Sequence, residues 1–395
     1  MSNNLNQFDV IVIGVGVAGS SASYDLASAG LKVLVLEKEK LPRYKTCGGG
    51  VVLRAANLLS FEITPVVQKA ISSADVYDQE NKLKFLIKSD SPMVYFVMRA
   101  DLDNYIVSKA LDKGARVYNR TEVKDINIQV DKVRVETANK TFTANYVIAA
   151  DGATGFSMTH FKLINQNTMR VPAIESEIKV DERTFNKFRD KARFDFGFIP
   201  HGYGWVFPKK DHLSVGVAFM KKVNQSIQDW FRKYLNLLEI YSDNILDEQK
   251  HGYFIPLING KVNCCDGRVL FAGDNLGFAD PLTAEGISFT IESGRFAAKA
   301  IIENYNNHKD VIKNYSGSID NIYKEIKAAK FLSQVVYGPL WLRKFVFKHY
   351  GKRLSELLAD IITEKKKYSR MVRDPINYLK LFRPAYFWGK SDASF

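Results

Sequence analysis

The apolar positions near the N-terminus predict a strand, a helix and a second strand in close succession. Phe8–Ile13 and Lys32–Leu36 are short apolar runs, and the segment Ala18–Ala29 between them reads as a helix. Short apolar runs on either side of a helix are typical of buried parallel strands. The chain is therefore predicted to open with a βαβ unit.

Later segments continue this alternation and then change character. The predicted elements are a helix at Leu102–Leu111, strands at Gly114–Val117, Tyr146–Ala150 and Arg268–Ala272, and a helix from about Thr283 to Ile302. From about Val171 to Pro256 the pattern alternates and is rich in aromatic residues, which indicates an antiparallel sheet. The remaining C-terminal segment has a helical pattern.

These elements predict an α/β fold, α+β overall. It would combine a Rossmann-type nucleotide-binding domain, an inserted antiparallel-sheet substrate domain and a C-terminal helical region. The predicted nucleotide-binding domain is discontinuous and comprises residues 1–71, 98–160 and 262–305. Residues 72–97 and 161–261 would form the substrate domain, and residues 306–395 the basic and aromatic helical region.

A glycine-rich turn follows the first predicted strand. Gly14, Gly16 and Gly19 have the GxGxxG spacing and open the first helix. Such glycines permit a tight turn, close approach of backbone to a pyrophosphate and close helix–strand packing, and the helix N-terminus attracts the phosphates. Glu37 ends the second strand, where its carboxylate can accept hydrogen bonds from a ribose. The segment therefore predicts a dinucleotide site.

Two later strand ends favour FAD over NAD as that dinucleotide. Asp151-Gly152 and Gly273-Asp274 each follow an apolar run, and the segment from Pro281 to Gly286-Ile287 leads into a helix. An aspartate at the carboxyl edge of a parallel sheet lies where ligands bind, so Asp274 can hydrogen-bond a ribityl chain. The N-terminus of the following helix can stabilise the anion of a reduced flavin.

This arrangement resembles the para-hydroxybenzoate hydroxylase-type flavoproteins over most of Phe8–Ile302. The segment around Arg99 is similar to that family's R-x-x-[FL]-D motif, whose arginine faces the cofactor. The resemblance implies that FAD is bound, with the backbone of Val123 near the adenine and Ala18 beside the diphosphate. Lys38 and Arg43, which follow the second strand, are also predicted FAD contacts.

Two further segments resemble the geranylgeranyl reductase family. Pro42 to Gly50 is similar to its P-x-x-K-x-C-G-G loop and contains Cys47, Gly48, Gly49 and Gly50. Three consecutive glycines are not explained by packing alone, so we expect this loop to pass against a flat or bulky group such as a flavin. Tyr203–Pro208, with the trailing Gly216-Val-Ala218, resembles the Y-x-W-x-F-P segment and its G-x-G. Ala218 replaces the second glycine, and Ala284-Glu285-Gly286 stands where Gly-Glu-Gly is commoner.

The resemblance implies a substrate and a reaction. Tyr203, Trp205 and Phe207 alternate along one face of a strand and, with Pro208, are the predicted binding residues for a long-chain isoprenoid; alternatively, the row packs into the core. The implied reaction saturates C=C bonds of a polyprenyl (geranylgeranyl-type) chain by hydride transfer from reduced FAD plus protonation. Cys47 is the predicted proton donor or gate, or else a small structural residue.

Other flavoprotein functions are weighed against this one. A flavin-dependent monooxygenase or halogenase shares the fold and cofactor and is the main alternative. A quinone-docking electron-transfer flavoprotein of this type needs four cysteines for an iron–sulfur cluster, and the sequence has only Cys47, Cys264 and Cys265. The electron donor, NAD(P)H or a ferredoxin-type protein, is left open, and no metal site is predicted.

The net charge of +13 is unevenly distributed, because Gly338–Phe395 holds 13 basic against 5 acidic residues. No nucleic-acid-binding motif accompanies this charge, so an acidic substrate or an anionic membrane surface is favoured. A diphosphate head group could use Arg43, Lys45, Lys209 and Lys210, which could equally be solvated.

The C-terminal region also has many aromatic residues, which suit an interfacial surface or a helical cap packed on the core. They are Tyr337, Trp341, Phe345, Phe347, Tyr350, Tyr378, Phe382, Tyr386, Phe387 and Trp388. The longest uncharged stretch in this region is too short to span a bilayer. A cytoplasmic location is expected, with or without peripheral attachment to the inner face of the membrane.

Overall fold

The computed structural model describes residues 6–163 and 168–373. The strands are β1 (Gln7–Ile13), β2 (Val33–Leu36), β3 (Gly50–Val52), β4 (Val67–Ile71), β5 (Ser73–Asp78), β6 (Leu83–Lys88), β7 (Val94–Val97), β8 (Arg116–Tyr118), β9 (Val123–Ile128), β10 (Val133–Thr137), β11 (Thr141–Ala149), β12 (Thr168–Val180), β13 (Ala192–Phe196), β14 (Gly202–Pro208), β15 (Leu213–Phe219), β16 (Ile245–Ile258), β17 (Cys265–Asp266) and β18 (Val269–Phe271).

The helices are α1 (Val17–Ser28), α2 (Leu53–Asn57), α3 (Arg99–Asp112), α4 (Phe156–His160), α5 (Glu182–Phe188), α6 (Ile227–Leu237), α7 (Ile287–Asn304), α8 (His308–Val336), α9 (Leu340–Ile362) and α10 (Tyr368–Arg373). Short 3₁₀ turns occur at Thr64–Val66 and Gly273–Leu276.

A central sheet carries the predicted βαβ unit. Its strand order is β17-β18-β11-β1-β2-β8, and β1 pairs in parallel with both β2 and β11. Every residue of β2 is buried, as expected for a parallel strand covered on both faces. α1, α3 and α7 pack together beside this sheet. The predicted Rossmann-type nucleotide-binding fold is therefore confirmed.

A second sheet, in the order β16-β12-β15-β14-β13-β5-β6, contains the predicted aromatic strands. Its pairs are antiparallel except for the parallel pair β13–β5. β7 does not belong to it, although residues 72–97 were assigned to the substrate domain. β7 pairs instead with β3 and β4 in a separate three-stranded sheet. The domain boundaries as a whole stay a prediction.

The late helix begins at Ile287, four residues after the position expected from the sequence. The delay has a local cause. The Asp280 side chain accepts hydrogen bonds from the backbone N–H groups of Leu282 and Thr283, at 2.8 and 3.3 Å, which forms a turn. Ala284 then has a φ of 58°, a left-handed conformation that no helix can contain.

The C-terminal helices pack on both parts of the molecule. α8 packs against α7, and α9 packs against β6 of the second sheet. Among the described residues, none of the helices combines the length and apolar character that crossing a bilayer requires.

Candidate functional site

A cavity of about 860 Å³ lies between the central and second sheets. Most of the predicted site residues line it together: Gly14, Gly16, Ala18, Glu37, Lys38, Arg43, Cys47, Gly48, Gly49, Gly50, Arg99, Val123, Asp151, Gly152, Gly273, Asp274, Gly286, Ile287, Tyr203, Trp205 and Phe207. Gly19, Pro281 and Pro208 were also predicted to contact a ligand, but they do not line this cavity. All three belong to elements that shape the cavity wall.

The glycine-rich turn after β1 fits a diphosphate. Gly14 has a φ of 97°, and a Cβ there would lie 2.5 Å from the carbonyl oxygen of Ala150. A Cβ on Gly19 would lie 2.1 Å from the carbonyl oxygen of Gly14, so Gly19 is required for packing rather than ligand contact. A Cβ on Gly16 would meet only Arg43 Nη2, at 4.0 Å, and Gly16 precedes α1 without a side-chain cap. The N-terminal N–H groups of α1 can therefore bind phosphate oxygens.

Glu37 is a buried carboxylate at the end of β2. Its Oε2 accepts a hydrogen bond from the Val15 N–H at 3.0 Å, and its Oε1 accepts one from the Glu39 N–H at 3.0 Å. Arg43 Nε lies 3.3 Å from Oε2. A carboxylate has about four acceptor positions, so it retains capacity for ribose hydroxyls, and the fit to an adenosine is good.

Arg99 is held by the last residue of its own motif. Its Nε and Nη2 donate to Asp103 at 3.0 and 3.1 Å, and Arg43 Nη1 approaches the same carboxylate at 3.3 Å. Burial by itself lowers the pKa of Arg99, but Asp103 and then Cys47 raise it above the ordinary value. The guanidinium therefore stays charged, and it faces the Cys47 sulfur.

Asp151 and Asp274 have different environments although both end parallel strands. Asp151 accepts hydrogen bonds from the Ser157 N–H and from Asn275 Nδ2, each at 2.8 Å, and its burial raises its pKa. Its side chain is thus committed to the protein. Asp274 is partly exposed, 3.8 Å from Lys45 Nζ, and remains available to a polar ligand. Asn275 also accepts from the Gly152 N–H at 3.0 Å, a contact that the sequence did not indicate.

Packing within the chain requires Gly48 and Gly49 of the triple-glycine loop, which the sequence did not suggest, while the contact of this loop with a flavin stays a prediction. A Cβ on Gly48 would lie 3.0 Å from the Phe207 ring and 3.1 Å from Trp205 Nε1. Gly49 has a φ of 75°, and a Cβ there would lie 2.1 Å from the Val97 carbonyl oxygen. The two motifs that resemble the geranylgeranyl reductases are therefore in direct contact with each other.

Tyr203, Trp205 and Phe207 form an aromatic row along β14 that lines the cavity. Neighbouring ring centroids are 5.8 and 6.1 Å apart, and Phe207 stacks on Phe96 at 4.8 Å. A Cβ on Gly216 would lie 2.0 Å from Trp205 Cζ2. The first glycine of the trailing G-x-G therefore makes room for the indole, whereas Ala218 is accommodated in the core.

α9 also contributes to the cavity wall, which the sequence reading missed. Leu358, Ala359 and Ile362 lie with the β5 and β6 residues Ala74, Val76 and Ile87 around the apolar part of the cavity. The three α9 positions have helical spacing, which marks a buried face but not what that face covers.

The turn at Asp280–Thr283 accepts hydrogen bonds from the hydroxyl groups of three tyrosines that are distant in sequence. Tyr203 donates to the Thr283 carbonyl at 2.7 Å, and Tyr337, just after α8, donates to the Leu282 carbonyl at 2.6 Å. Tyr368 of α10 donates to Asp280 Oδ2 at 2.7 Å. The turn before α7 thus joins the aromatic row to the C-terminal helices.

A buried polar cluster adjoins the triple-glycine loop and was also missed. Tyr44 Oη donates to Glu175 Oε2 at 2.9 Å. Lys209 is buried and paired with Glu177, and His212 Nε2 lies 3.1 Å from Glu177 Oε2. The sequence left Lys209 either as a contact for a diphosphate or as a solvated residue, and its burial in this ion pair fits neither. Lys210 is exposed.

The fold and site define an FAD-dependent oxidoreductase. The family described as FAD binding domain matches residues 7–325, and the chain belongs to that family. An uncharacterized protein of Methanosarcina barkeri is 29% identical over 85% of this chain and 86% of its own length. Digeranylgeranylglycerophospholipid reductase 3 of Methanosphaera stadtmanae is 28% identical over 85% of this chain and 88% of its own.

Solved structures share the fold at lower identity. A geranylgeranyl bacteriochlorophyll reductase-like protein from Thermoplasma acidophilum has a TM-score of 0.74 at 20% identity, and the match covers 95% of this chain and 96% of the other. The flavin-dependent brominase Bmp2 has a TM-score of 0.71 at 19% identity, covering 95% and 100%. The resemblance to geranylgeranyl reductases and the FAD cofactor, both predicted from the sequence, are confirmed.

Proposed function

We propose that this oxidoreductase saturates C=C bonds of a polyprenyl, geranylgeranyl-type chain. The observation that carries the proposal is the apolar part of the cavity, which begins at the triple-glycine loop. Its wall is the aromatic row of β14 with Phe96, Phe194 and Phe196, continued by aliphatic side chains of β5, β6 and α9. A long hydrocarbon gains about 0.8 kcal/mol for each methylene buried there.

Reduced FAD, when bound, supplies the hydride for this chemistry. The protein's part is to hold an alkene in a dry slot and to provide the proton. Cys47, at the mouth of the apolar part, stays a predicted donor or gate. Its sulfur accepts a hydrogen bond from the Gly49 N–H at 3.4 Å. If Cys47→Ala retains FAD and full turnover, that role is refuted.

The proposed function is tested by anaerobic incubation of the dithionite-reduced holoprotein with geranylgeranyl diphosphate and, separately, a prenylquinone. Mass spectrometry should show products heavier by successive pairs of hydrogen atoms. Trp205→Phe should retain product formation and Trp205→Ala should lose most of it, while both bind FAD. Trp230→Ala, on α6 outside the cavity, is the matched control. No hydrogen gain with any prenyl substrate would refute the proposal.

The alternative function, a flavin-dependent monooxygenase or halogenase, is supported by the similarity of the fold to that of the brominase Bmp2. It predicts rapid aerobic NAD(P)H oxidation in the presence of a phenolic acceptor and bromide, with a hydroxylated or brominated product. The electron donor is identified in a separate anaerobic experiment. The oxidised holoprotein is mixed with NAD(P)H or with reduced ferredoxin, and the reagent that bleaches the flavin absorbance is the donor.

We also propose that α9 brings the protein to an anionic membrane surface from the cytoplasmic side. Trp341, Lys344, Phe345 and Lys348 share one helical face and are exposed, Trp341 by 72%. Tyr337 and Phe347 are buried instead, so these aromatics belong to the core. Tyr378, Phe382, Tyr386, Phe387 and Trp388 lie outside the described residues.

Flotation with phosphatidylglycerol vesicles tests this attachment. Trp341→Glu should reduce binding several-fold, because it removes an inserting ring and adds a repelled charge. Leu246→Glu is the matched control, since Leu246 is 64% exposed on β16. Equal binding of the two variants would refute the role of α9.

A further inference from the structure

Glu175 is a buried carboxyl group in the wall of the cavity. It lies on β12, is 2% exposed, and lines the same space as Cys47 and the aromatic row. Tyr44 donates to its Oε2 at 2.9 Å, and Ser214 Oγ lies 3.4 Å from its Oε1. Lys209, the nearby cation, is paired with Glu177 rather than with Glu175. Glu175 therefore has hydrogen-bond partners but no ion pair of its own among the described residues.

This environment favours the neutral acid. The pKa of Glu175 is raised to about 8, mainly by burial and secondly by repulsion from Glu177. Burial acts on Glu177 as well, but hydrogen bonds from His212 and the charge of Lys209 hold its pKa below the ordinary value. Of the two acids, Glu175 is thus the one that keeps its proton near neutral pH. The titratable and charged groups around it are Tyr44, Lys45 and Cys47 of the loop, Glu177 of its own strand, Lys209, Asp211 and His212 of the β14–β15 hairpin, and His251 of β16.

We propose that Glu175 is the acid that protonates the substrate alkene, and that Tyr44 links it to solvent. The inference rests on the proposed function. One alkene carbon receives the hydride and the other receives the Glu175 proton, so the π bond is replaced by two C–H bonds. The carboxylate that remains is reprotonated from water through Tyr44, which is 39% exposed and stacks on His251 at 4.1 Å.

The surroundings of Cys47 assign it a different part. Its sulfur accepts from the Gly49 N–H and faces the Arg99 guanidinium, so both neighbours are hydrogen-bond donors. Such a site suits a hydrogen-bond acceptor. Glu175, by contrast, is next to the hydroxyl groups of Tyr44 and Ser214, which can also accept a hydrogen bond from a protonated carboxyl group. Proton donation by Glu175 leaves Cys47 the role of a gate beside the loop.

The first test does not depend on turnover. Infrared difference spectra between the wild-type holoprotein and Glu175→Gln should contain the carbonyl stretch of a protonated carboxyl group, shifted in D₂O, that titrates near pH 8. Tyr44→Phe should move this titration upwards, because it removes a hydrogen bond to the carboxylate form. Glu182→Gln, on the exposed side of α5, is the matched control and should leave the spectrum unchanged.

The second test measures single turnovers of prereduced holoprotein with geranylgeranyl diphosphate in D₂O. Glu175→Gln should slow alkene reduction by about 10²- to 10⁴-fold, the usual contribution of a general acid, with FAD content and flavin reduction unchanged. Glu182→Gln should react at the wild-type rate. In multiple-turnover runs of the same reaction, Tyr44→Phe should fall behind the wild type, because each later turnover needs the Glu175 proton to be restored through Tyr44.

The outcomes separate the two proposals. A wild-type rate in Glu175→Gln, or the absence of its protonated band at neutral pH, would overturn the assignment while leaving alkene reduction intact. If Cys47→Ala shows the large loss and Glu175→Gln does not, the cysteine is the donor. If the wild-type protein forms no reduced product, the proposed function itself has failed, and the role of Glu175 as proton donor to the alkene fails with it.

Discussion

Gly49→Ala is the sharpest test of the triple-glycine loop, because two independent penalties fall on one methyl group. An alanine must adopt the φ of 75°, which costs an L-residue about 1–2 kcal/mol. Its Cβ would lie 2.1 Å from the Val97 carbonyl oxygen, a backbone atom that cannot rotate away. Displacing packed structure typically costs about 1–3 kcal/mol. We expect a total loss of about 2–5 kcal/mol in the free energy of unfolding.

Gly50→Ala provides the matched control one residue further on. The nearest atoms to its added Cβ would be at 3.5 Å, an ordinary van der Waals distance, and its φ is not in the left-handed region. Removing a glycine from a strand is neutral or slightly stabilising. Urea unfolding followed by tryptophan fluorescence measures both variants, and flavin absorbance measures bound FAD. If Gly49→Ala unfolds within about 0.5 kcal/mol of Gly50→Ala and retains its FAD, the geometry of the loop is wrong.

Further predictions concern the cofactor, the apolar slot and the buried acid. Glu37→Gln should weaken FAD binding by about 10- to 10²-fold, since hydrogen bonds to a charged group contribute about 1.5–3 kcal/mol; an unchanged Kd in apoprotein titrations would contradict this. Ala359→Phe should lower kcat/KM more for geranylgeranyl than for farnesyl substrates, by up to about 10³-fold, because one isoprene unit buries about five carbons at about 0.8 kcal/mol each; equal losses would argue against a slot at α9. From about pH 4.5 to 8 the folded protein retains a Glu175 proton that the unfolded chain releases, so this group lowers stability as pH rises, by as much as about 5 kcal/mol. The stability of Glu175→Gln should fall less over that interval, and parallel curves would refute the raised pKa.

The nucleotide-binding part of the fold could be predicted because its signals are local. All its signals belong to one βαβ unit near the N-terminus: the strand Phe8–Ile13, the glycines that follow it, and Glu37 at the end of the second strand. The start of α7 could not be predicted as well. It depends on a side-chain turn at Asp280 and on the left-handed backbone of Ala284, which an apolar pattern does not record.

The site was predicted where motifs exist and missed where distant strands create it. Glu175 and Glu177 read as ordinary polar positions of a strand. Tyr44 of the 42–50 loop bonds Glu175, and Lys209 and His212 of the β14–β15 hairpin pair with Glu177, so both acids are buried by segments distant in sequence. Lys209 looked like half of a surface lysine pair for the same reason. Ala359 gave no signal, because a helical face does not reveal its partner. Asp151 was predicted as a cofactor ligand from its position, but its carboxylate is used to hold Ser157 and Asn275.

The tyrosine-bonded turn before α7 has a thermodynamic consequence. Tyr337 and Tyr368 tie the C-terminal helices to the turn whose next residues, Thr283 and Ala284, line the cavity. A cofactor that binds only when this turn is ordered must therefore also favour the docked state of α8 and α10, and docking must in return tighten the cofactor by the same factor. Binding of a cofactor at the nucleotide site should therefore increase the protease resistance of α8 and α10.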